Sequence, residues 1–129
     1  MAKRRAKKIK QRAAIGVLGK HVTRRSRGRC EMCDQKDQLA LWELPPFPEE
    51  PCLSRVLLAC QRCRLWLEGT EPVDVVEAHF LGGSVWSEHE AVRLAAARLL
   101  LMVDEADDPW VQDALDAANI NPETLELRD

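Results

Sequence analysis

The sequence predicts an α+β fold in which a small four-cysteine module follows a basic N-terminal helix and precedes a C-terminal helical hairpin. Three observations support this. Two CxxC pairs lie on either side of a 26-residue stretch that contains strand-like sequence. The residues before the first pair carry only positive charge, and two strongly helical segments follow the second pair. We therefore divide the chain into a basic arm or helix (1–29), the four-cysteine module (30–69), a connector (70–86) and the hairpin (87–129).

The two CxxC pairs are Cys30 with Cys33 and Cys60 with Cys63. A CxxC pair on a tight turn aims two thiolates at one point, and two such pairs provide the four soft ligands that tetrahedral Zn²⁺ prefers. We predict that these four cysteines bind zinc. A pair of disulfides, or chance proximity in sequence, are the alternatives.

Disulfides require an oxidising compartment, and the sequence gives no sign of one. The basic beginning is not followed by the apolar run of a secretory signal. No stretch approaches the roughly 20 apolar residues of a membrane span. We therefore expect a cytoplasmic protein with reduced cysteines and no membrane contact.

The order of elements around the cysteines predicts a treble clef. Residues 39–44 alternate in period two and predict a strand, and the apolar run 56–60 predicts a second. Between them, residues 45–54 contain four prolines and predict an extended loop. Residues 61–67 predict a short helix, ended by Gly69, whose first turn carries the second cysteine pair.

Charge is divided sharply along the chain. Residues 1–29 contain 12 Lys and Arg and no acid, whereas the remaining residues contain 7 Lys and Arg and 21 acids. Such an arm predicts contacts with the phosphate backbone of a nucleic acid, without choosing between DNA and RNA or specifying a sequence. The predicted contact residues are Arg4, Arg5, Lys7, Lys8, Lys10, Arg12, Arg24, Arg25, Arg27 and Arg29. A helix over about 5–25 is expected, with a solvated tail or contact with the acidic half of the chain as alternatives.

The C-terminal third predicts two helices. Ser87 and Glu90 have the spacing of a capping box, and the residues after them form a broad apolar face. Asp108 and Pro109 predict an N-cap and first residue for the second helix. This hairpin is expected to serve as core, or as a surface for a homodimer or a protein partner.

Several isolated residues have weaker signals. Cys52 is predicted to be a loop thiol, with a shifted metal site as the alternative. The three histidines, at positions 21, 79 and 89, are too scattered to predict a metal site, although His21 could contact phosphate. The four tryptophans, at positions 42, 66, 86 and 110, are expected in the core, with base stacking as the alternative. The acids at positions 104, 105, 107 and 108 predict a solvated turn.

The segments RGRCEMC (27–33), LWELP (41–45) and LLACQRCR (57–64) resemble the framework of zinc-containing HNH nucleases. That resemblance implies histidines on the middle strand and after the last cysteine, where they activate water and hold a catalytic metal. The matching positions here are Trp42, Glu43 and Arg64. Without a histidine the general base is missing, so the resemblance implies a degenerate, non-catalytic module.

A longer resemblance covers residues 17–129. The segment LGKHVTRRSRGRCEMC (18–33), the proline loop, the second CxxC, and SVWSE (84–88) before a long helix are similar to bacterial PhnA-type proteins, a family named for alkylphosphonate utilisation. That name implies a genomic association and no reaction. The sequence lacks the Asp- and His-rich two-metal site of phosphonoacetate hydrolase.

These observations favour a non-catalytic zinc protein associated with nucleic acid through its basic arm. Two alternatives stay open. One is an accessory, protein-interacting zinc protein linked to phosphonate metabolism, with the acidic hairpin as its partner surface. The other is a divergent HNH-type metal-dependent nuclease.

Overall fold

The computed structural model describes residues 18–45, 52–103 and 108–118, and within them the predicted α+β fold is confirmed. The elements, in order, are α1 (residues 18–26), β1 (Ala40–Glu43), β2 (Val56–Ala59), α2 (Gln61–Leu67), α3 (Leu81–Ser84), α4 (Glu90–Met102) and α5 (Pro109–Ala118). Short 3₁₀ turns, Leu53–Arg55 and Glu77–Phe80, precede β2 and α3. The predicted contacts from Arg4 to Arg12, most of the proline loop, the acidic turn at 104–107 and the tail from residue 119 lie outside the described residues.

The two strands form an antiparallel pair, in which the first residue of each strand lies opposite the last residue of the other. Ala40 lies opposite Ala59, and Glu43 lies opposite Val56. All four residues of β2 are buried, whereas those of β1 are half-buried. Both strands fall where the sequence predicted them.

Alternation along β2 divides the core between the two faces of the sheet. Leu57 and Ala59 belong to the main core, which also contains the cysteines, α2 and α4. Val56 and Leu58 face the other way and pack against Val22 of α1. The sheet therefore lies between α1 on one face and the remaining helices on the other.

Helix starts in the second half differ in part from the sequence prediction. The capping box is wrong: α4 begins at Glu90 with an extended His89 as N-cap, and the Ser87 hydroxyl accepts the His89 N–H at 3.1 Å. The start of α5 is confirmed, because the Asp108 carboxylate accepts the Trp110 N–H at 3.2 Å. Within the predicted connector, α3 continues through Gly82 and Gly83 to Ser84.

A buried ion pair joins α1 to the first cysteine turn and to β2. The Arg25 guanidinium donates from two nitrogens to the two carboxylate oxygens of Glu31, each at 2.8 Å. It also donates to the Val56 carbonyl at 2.8 Å, and Glu31 accepts the Leu58 N–H at 3.0 Å. The side chains are 16% and 3% exposed, so this bidentate pair is nearly removed from water.

Glu31→Gln is expected to destabilise the protein by about 3 kcal/mol, because it leaves the buried Arg25 cation without a counter-charge. Urea unfolding at neutral pH measures the change. Asp34→Asn is the matched control: its partner Arg29 lies 3.6 Å away and both side chains are well exposed, so less than about 0.5 kcal/mol should be lost. Equal losses in the two variants would contradict a structural role for the Arg25–Glu31 pair.

Candidate metal centre

The first cysteine pair lies in a tight turn held by backbone hydrogen bonds. The Cys30 N–H donates to the Gln35 carbonyl at 2.8 Å, and the Asp34 N–H donates to the Cys30 carbonyl at 2.9 Å. Asp34 has φ 69°, a left-handed conformation that Asp tolerates better than most residues. The Glu31 N–H donates to the Leu58 carbonyl at 2.9 Å, which fixes this turn against β2.

The second pair lies where β2 runs into α2. Cys60 is the extended N-cap of α2, and its carbonyl accepts the Arg64 N–H at 3.0 Å. Cys63 is therefore in the first turn of the helix, on the same side as Cys60. The Gln61 N–H donates to the Asp37 carbonyl at 3.2 Å, so this end of α2 is joined to the residues after the first cysteine turn.

The four sulfur atoms converge. The Sγ atoms of Cys30 and Cys63 are 3.8 Å apart, those of Cys33 and Cys60 are 3.5 Å apart, and all four lie within 4.8 Å of one another. A Zn–S distance of about 2.3 Å in a tetrahedron requires sulfurs about 3.8 Å apart. The cluster is therefore compatible with a metal ion such as zinc, and the sulfurs are too far apart for disulfides.

Crowding of the sulfurs separates their proton affinities. Hydrogen bonds from Cys33, Cys60 and Cys63 lower the pKa of Cys30. The bond with Cys30 raises the pKa of Cys60, but those from Cys33 and Cys63 outweigh it and lower that pKa to about 6. Bonding to Cys30 raises the pKa of both Cys33 and Cys63. The shared hydrogen bonds thus favour the thiolate at some sulfurs and the thiol at others, and a tetrathiolate metal site would displace the remaining protons.

Arg62 provides a cation beside the sulfurs. Its guanidinium carbon lies 4.9 Å from the centroid of Trp66 and 5.5 Å from that of Phe80, and these two rings stack. Burial alone lowers the pKa of Arg62, but the nearby sulfurs of Cys33 and Cys63 more than offset this and the pKa is raised. Its position favours thiolates in the cluster.

The structure brings together only the four predicted ligands among the candidate metal-binding side chains. Cys52 is exposed, with its Sγ 3.1 Å from the Ser54 hydroxyl, and it lies outside the cluster. Across 18–45, 52–103 and 108–118, no second group of His, Cys, Asp or Glu converges as a metal site. Of the histidines in those ranges, His79 makes a tilted contact with Trp110, with ring centroids 4.8 Å apart.

The positions that match the HNH histidines have other contacts. Trp42 lies under the Arg98 guanidinium at 5.7 Å. Arg64 donates to the Ala59 carbonyl at 3.2 Å and to the Gln38 carbonyl. Glu43 is half-buried, and its Oε2 has no hydrogen-bond partner among the residues that the structure describes.

The described arginines of the predicted nucleic-acid interface fall into two groups. Arg24, Arg27 and Arg29 are exposed next to the first cysteine turn. Arg25 is different, because Glu31 and backbone carbonyls occupy its guanidinium. The Arg25 side chain contributes to folding rather than to an open cationic surface.

Sequence reasoning missed Glu31 and Arg62. Glu31 lies between two ligands, where nothing in the pattern reveals that its side chain turns toward β2. Arg62 had a usable signal: Trp66 follows it by four residues in a predicted helix, which is the spacing of a cation–aromatic contact on one face.

No protein-family model, curated protein or solved structure matches this chain. Among the residues that the structure describes, no helix is both long and apolar enough to cross a membrane.

Cys60→Ser should abolish stoichiometric zinc binding, because a serine hydroxyl replaces one of four converging thiolates. Native mass spectrometry, together with chelator titration of released zinc, measures the stoichiometry. Cys52→Ser is the matched control and should keep one zinc per chain, since Cys52 lies outside the cluster. Retention of full zinc and an unchanged melting temperature in Cys60→Ser would contradict the site.

Glu43→Gln should raise the melting temperature modestly at pH 7. Desolvation raises the pKa of Glu43 above 4.5, although Arg55 partly opposes it. The folded protein therefore holds this proton more tightly than the unfolded chain does, and stability falls as pH rises from 4.5 through the raised pKa. Thermal unfolding from pH 4 to 8 should show that fall reduced in Glu43→Gln. A lower melting temperature at pH 7 would contradict the argument.

Proposed function

We propose that this chain is a non-catalytic zinc-binding protein of the PhnA type, which associates with the phosphate backbone of nucleic acids through its basic N-terminal residues. The observation that carries the proposal is the convergence of four cysteine sulfurs at tetrahedral spacing. The order of cysteine turn, strand, loop, strand and cysteine-bearing helix supports a treble clef of the degenerate HNH type.

A four-cysteine centre favours a structural role for the metal. Catalytic zinc keeps one coordination position open for water or substrate, whereas four thiolates fill the tetrahedron. Three of the four cysteines are at most 2% exposed, so substrate would have little access. Zinc binding of this kind contributes roughly 10 to 16 kcal/mol in zinc-finger peptides, and it would stabilise the whole core here.

The contacts at the HNH-like positions argue against a nuclease. Trp42 has no group that can accept a proton, and the Arg64 guanidinium is occupied by two backbone carbonyls. Glu43 alone is a poor cradle for a catalytic metal. We expect no nicking of plasmid DNA with Mg²⁺ or Mn²⁺, and nicking that copurifies with the intact chain would overturn this part of the proposal.

Exposed cations support the nucleic-acid association. Arg24, Arg27 and Arg29 all reach solvent, and Arg29 pairs with the exposed Asp34 at 3.6 Å. Each exposed cation that contacts a phosphate releases counterions. The logarithm of the binding constant should therefore fall linearly with the logarithm of the salt concentration. The arm from Arg4 to Arg12 would add to the same effect.

Replacing Arg24, Arg27 and Arg29 by Gln should weaken binding to labelled duplex and single-stranded oligonucleotides. If all three contact duplex phosphates, the negative slope of log K against log salt should become shallower by about 2.7. Fluorescence anisotropy at several salt concentrations measures both. The control changes the same three residues to Lys, which keeps the charge and should keep the slope.

Deleting residues 1–29 would be a poor test, because it removes the fully buried Val22 and the ion-paired Arg25. Absence of binding by the intact chain at low salt, for duplex and single strands alike, would overturn the nucleic-acid proposal. A Gln variant with unchanged affinity and slope would remove these three arginines from it.

A further inference from the structure

An apolar surface is exposed on the helical run before α4. Val76 is 78% exposed and Trp86 is 73% exposed. They lie at the two ends of a run of 3₁₀ and α turns, and with the exposed His79 and Gly83 they have the i, i+3, i+7, i+10 spacing of one helix face. We call these four residues the tryptophan face.

Two glycines leave the middle of this face bare. A Cβ added at Gly82 or Gly83 would meet nothing within 4 Å, and neither residue has a positive φ. Neither the backbone conformation nor internal packing therefore requires glycine, although glycine weakens a helix. Because neither residue has a side chain, another polypeptide could approach the backbone closely here.

Aromatic contact extends the face toward α5. The His79 ring packs against the half-buried Trp110 in a tilted contact, with ring centroids 4.8 Å apart and planes inclined at 48°. Trp110 is in the first turn of α5, so this contact joins His79 to that helix. This contact with α5 restricts the His79 side chain before any partner binds, which reduces the entropy cost of binding.

Most charged side chains in the sequence around the tryptophan face are acidic, although the Arg93 guanidinium donates to the Ser87 carbonyl at 2.9 Å, next to Trp86. From residue 65 to residue 92 the chain contains no Lys or Arg and six acids, all of them exposed: Glu68, Glu71, Asp74, Glu77, Glu88 and Glu90. Glu77 adjoins Val76, and Glu88 lies two residues after Trp86. Phosphate groups would be repelled here, whereas a cationic segment with apolar residues would be complementary.

We propose that the tryptophan face binds the basic N-terminal segment of this chain, residues 1–17. That segment has seven Lys and Arg and no acid, together with the apolar residues Ile9, Ala13 and Val17. Its charge matches the acids around the face, and its apolar residues match Val76, Trp86 and the bare glycines. Because the same segment is proposed to contact nucleic acid, the acidic face and the nucleic acid compete for it.

Zero-length carbodiimide cross-linking of the intact, zinc-loaded chain at low salt tests this contact, without nucleic acid. The reagent joins lysine amines to carboxylates that touch them. Peptide mass spectrometry should find Lys3, Lys7, Lys8 or Lys10 joined chiefly to Glu77 and Glu88, with yields that fall at least fivefold in 0.5 M salt, as expected from screening. A mixture of ¹⁴N and ¹⁵N protein identifies whether the segment comes from the same chain or a second copy.

Two variants distinguish docking on the face from diffuse charge attraction. Gly83→Gln fills the bare centre, and Trp86→Ser removes the exposed ring; each should lower the yield of these cross-links at least fivefold. Gly83→Gln should leave the melting temperature unchanged or higher, because its Cβ meets open space. Leu53→Ser is the matched control: Leu53 is also exposed, at 40%, but lies outside the face, and its variant should keep the cross-links.

Absence of cross-links between residues 1–17 and the acids around the face in the wild-type chain would overturn the proposal. Cross-links that persist unchanged in both Gly83→Gln and Trp86→Ser would also overturn it. Nucleic-acid binding is not used in any of these measurements, so failure here and failure of the proposed function are separate results.

Discussion

The convergence of four sulfur atoms is the constraint on which the rest of this structure depends. Two short segments supply these sulfurs, and both are fixed to the same sheet. The Glu31 backbone N–H donates to the Leu58 carbonyl in β2, and Cys60 connects β2 to α2. The cysteines also lie in the main core, beside Trp66 and Leu67. Without a shared metal, two pairs of polarised thiols would be packed against apolar side chains. The sulfur cluster and the hydrophobic core are therefore one unit, and a metal ion held by the four sulfurs would stabilise both.

The arginines of the N-terminal third lie in two different environments, which composition alone does not distinguish. Arg25 is fixed between Glu31 and the carbonyl of Val56, whereas Arg24 and Arg27 remain in solvent. Neighbouring arginines in one run thus differ completely in environment, because helix α1 turns successive side chains in different directions. The acids are similarly divided: Glu31 is nearly buried, while the acids around the tryptophan face are all exposed.

Local chemistry made much of the fold predictable. Both strands, α2 and the start of α5 follow from alternation, cysteine spacing and the Asp108–Pro109 signal, and the four sulfurs converge as that spacing requires. Features that depend on tertiary contacts could not be predicted from the sequence. The Arg25–Glu31 pair joins different elements, and the helical run through Gly82 persists because Ser84 donates to the Met32 carbonyl and fixes α3 against the first cysteine turn. The capping box failed because Ser87 instead stabilises the turn before His89.

The four cysteines of the sulfur cluster are not equally exposed to solvent. Cys30, Cys60 and Cys63 are at most 2% exposed, whereas Cys33 is only half-buried. A chelator or oxidant arriving from solvent would therefore meet Cys33 first. For a metal ion held by the four sulfurs, Cys33 would be the ligand most open to exchange.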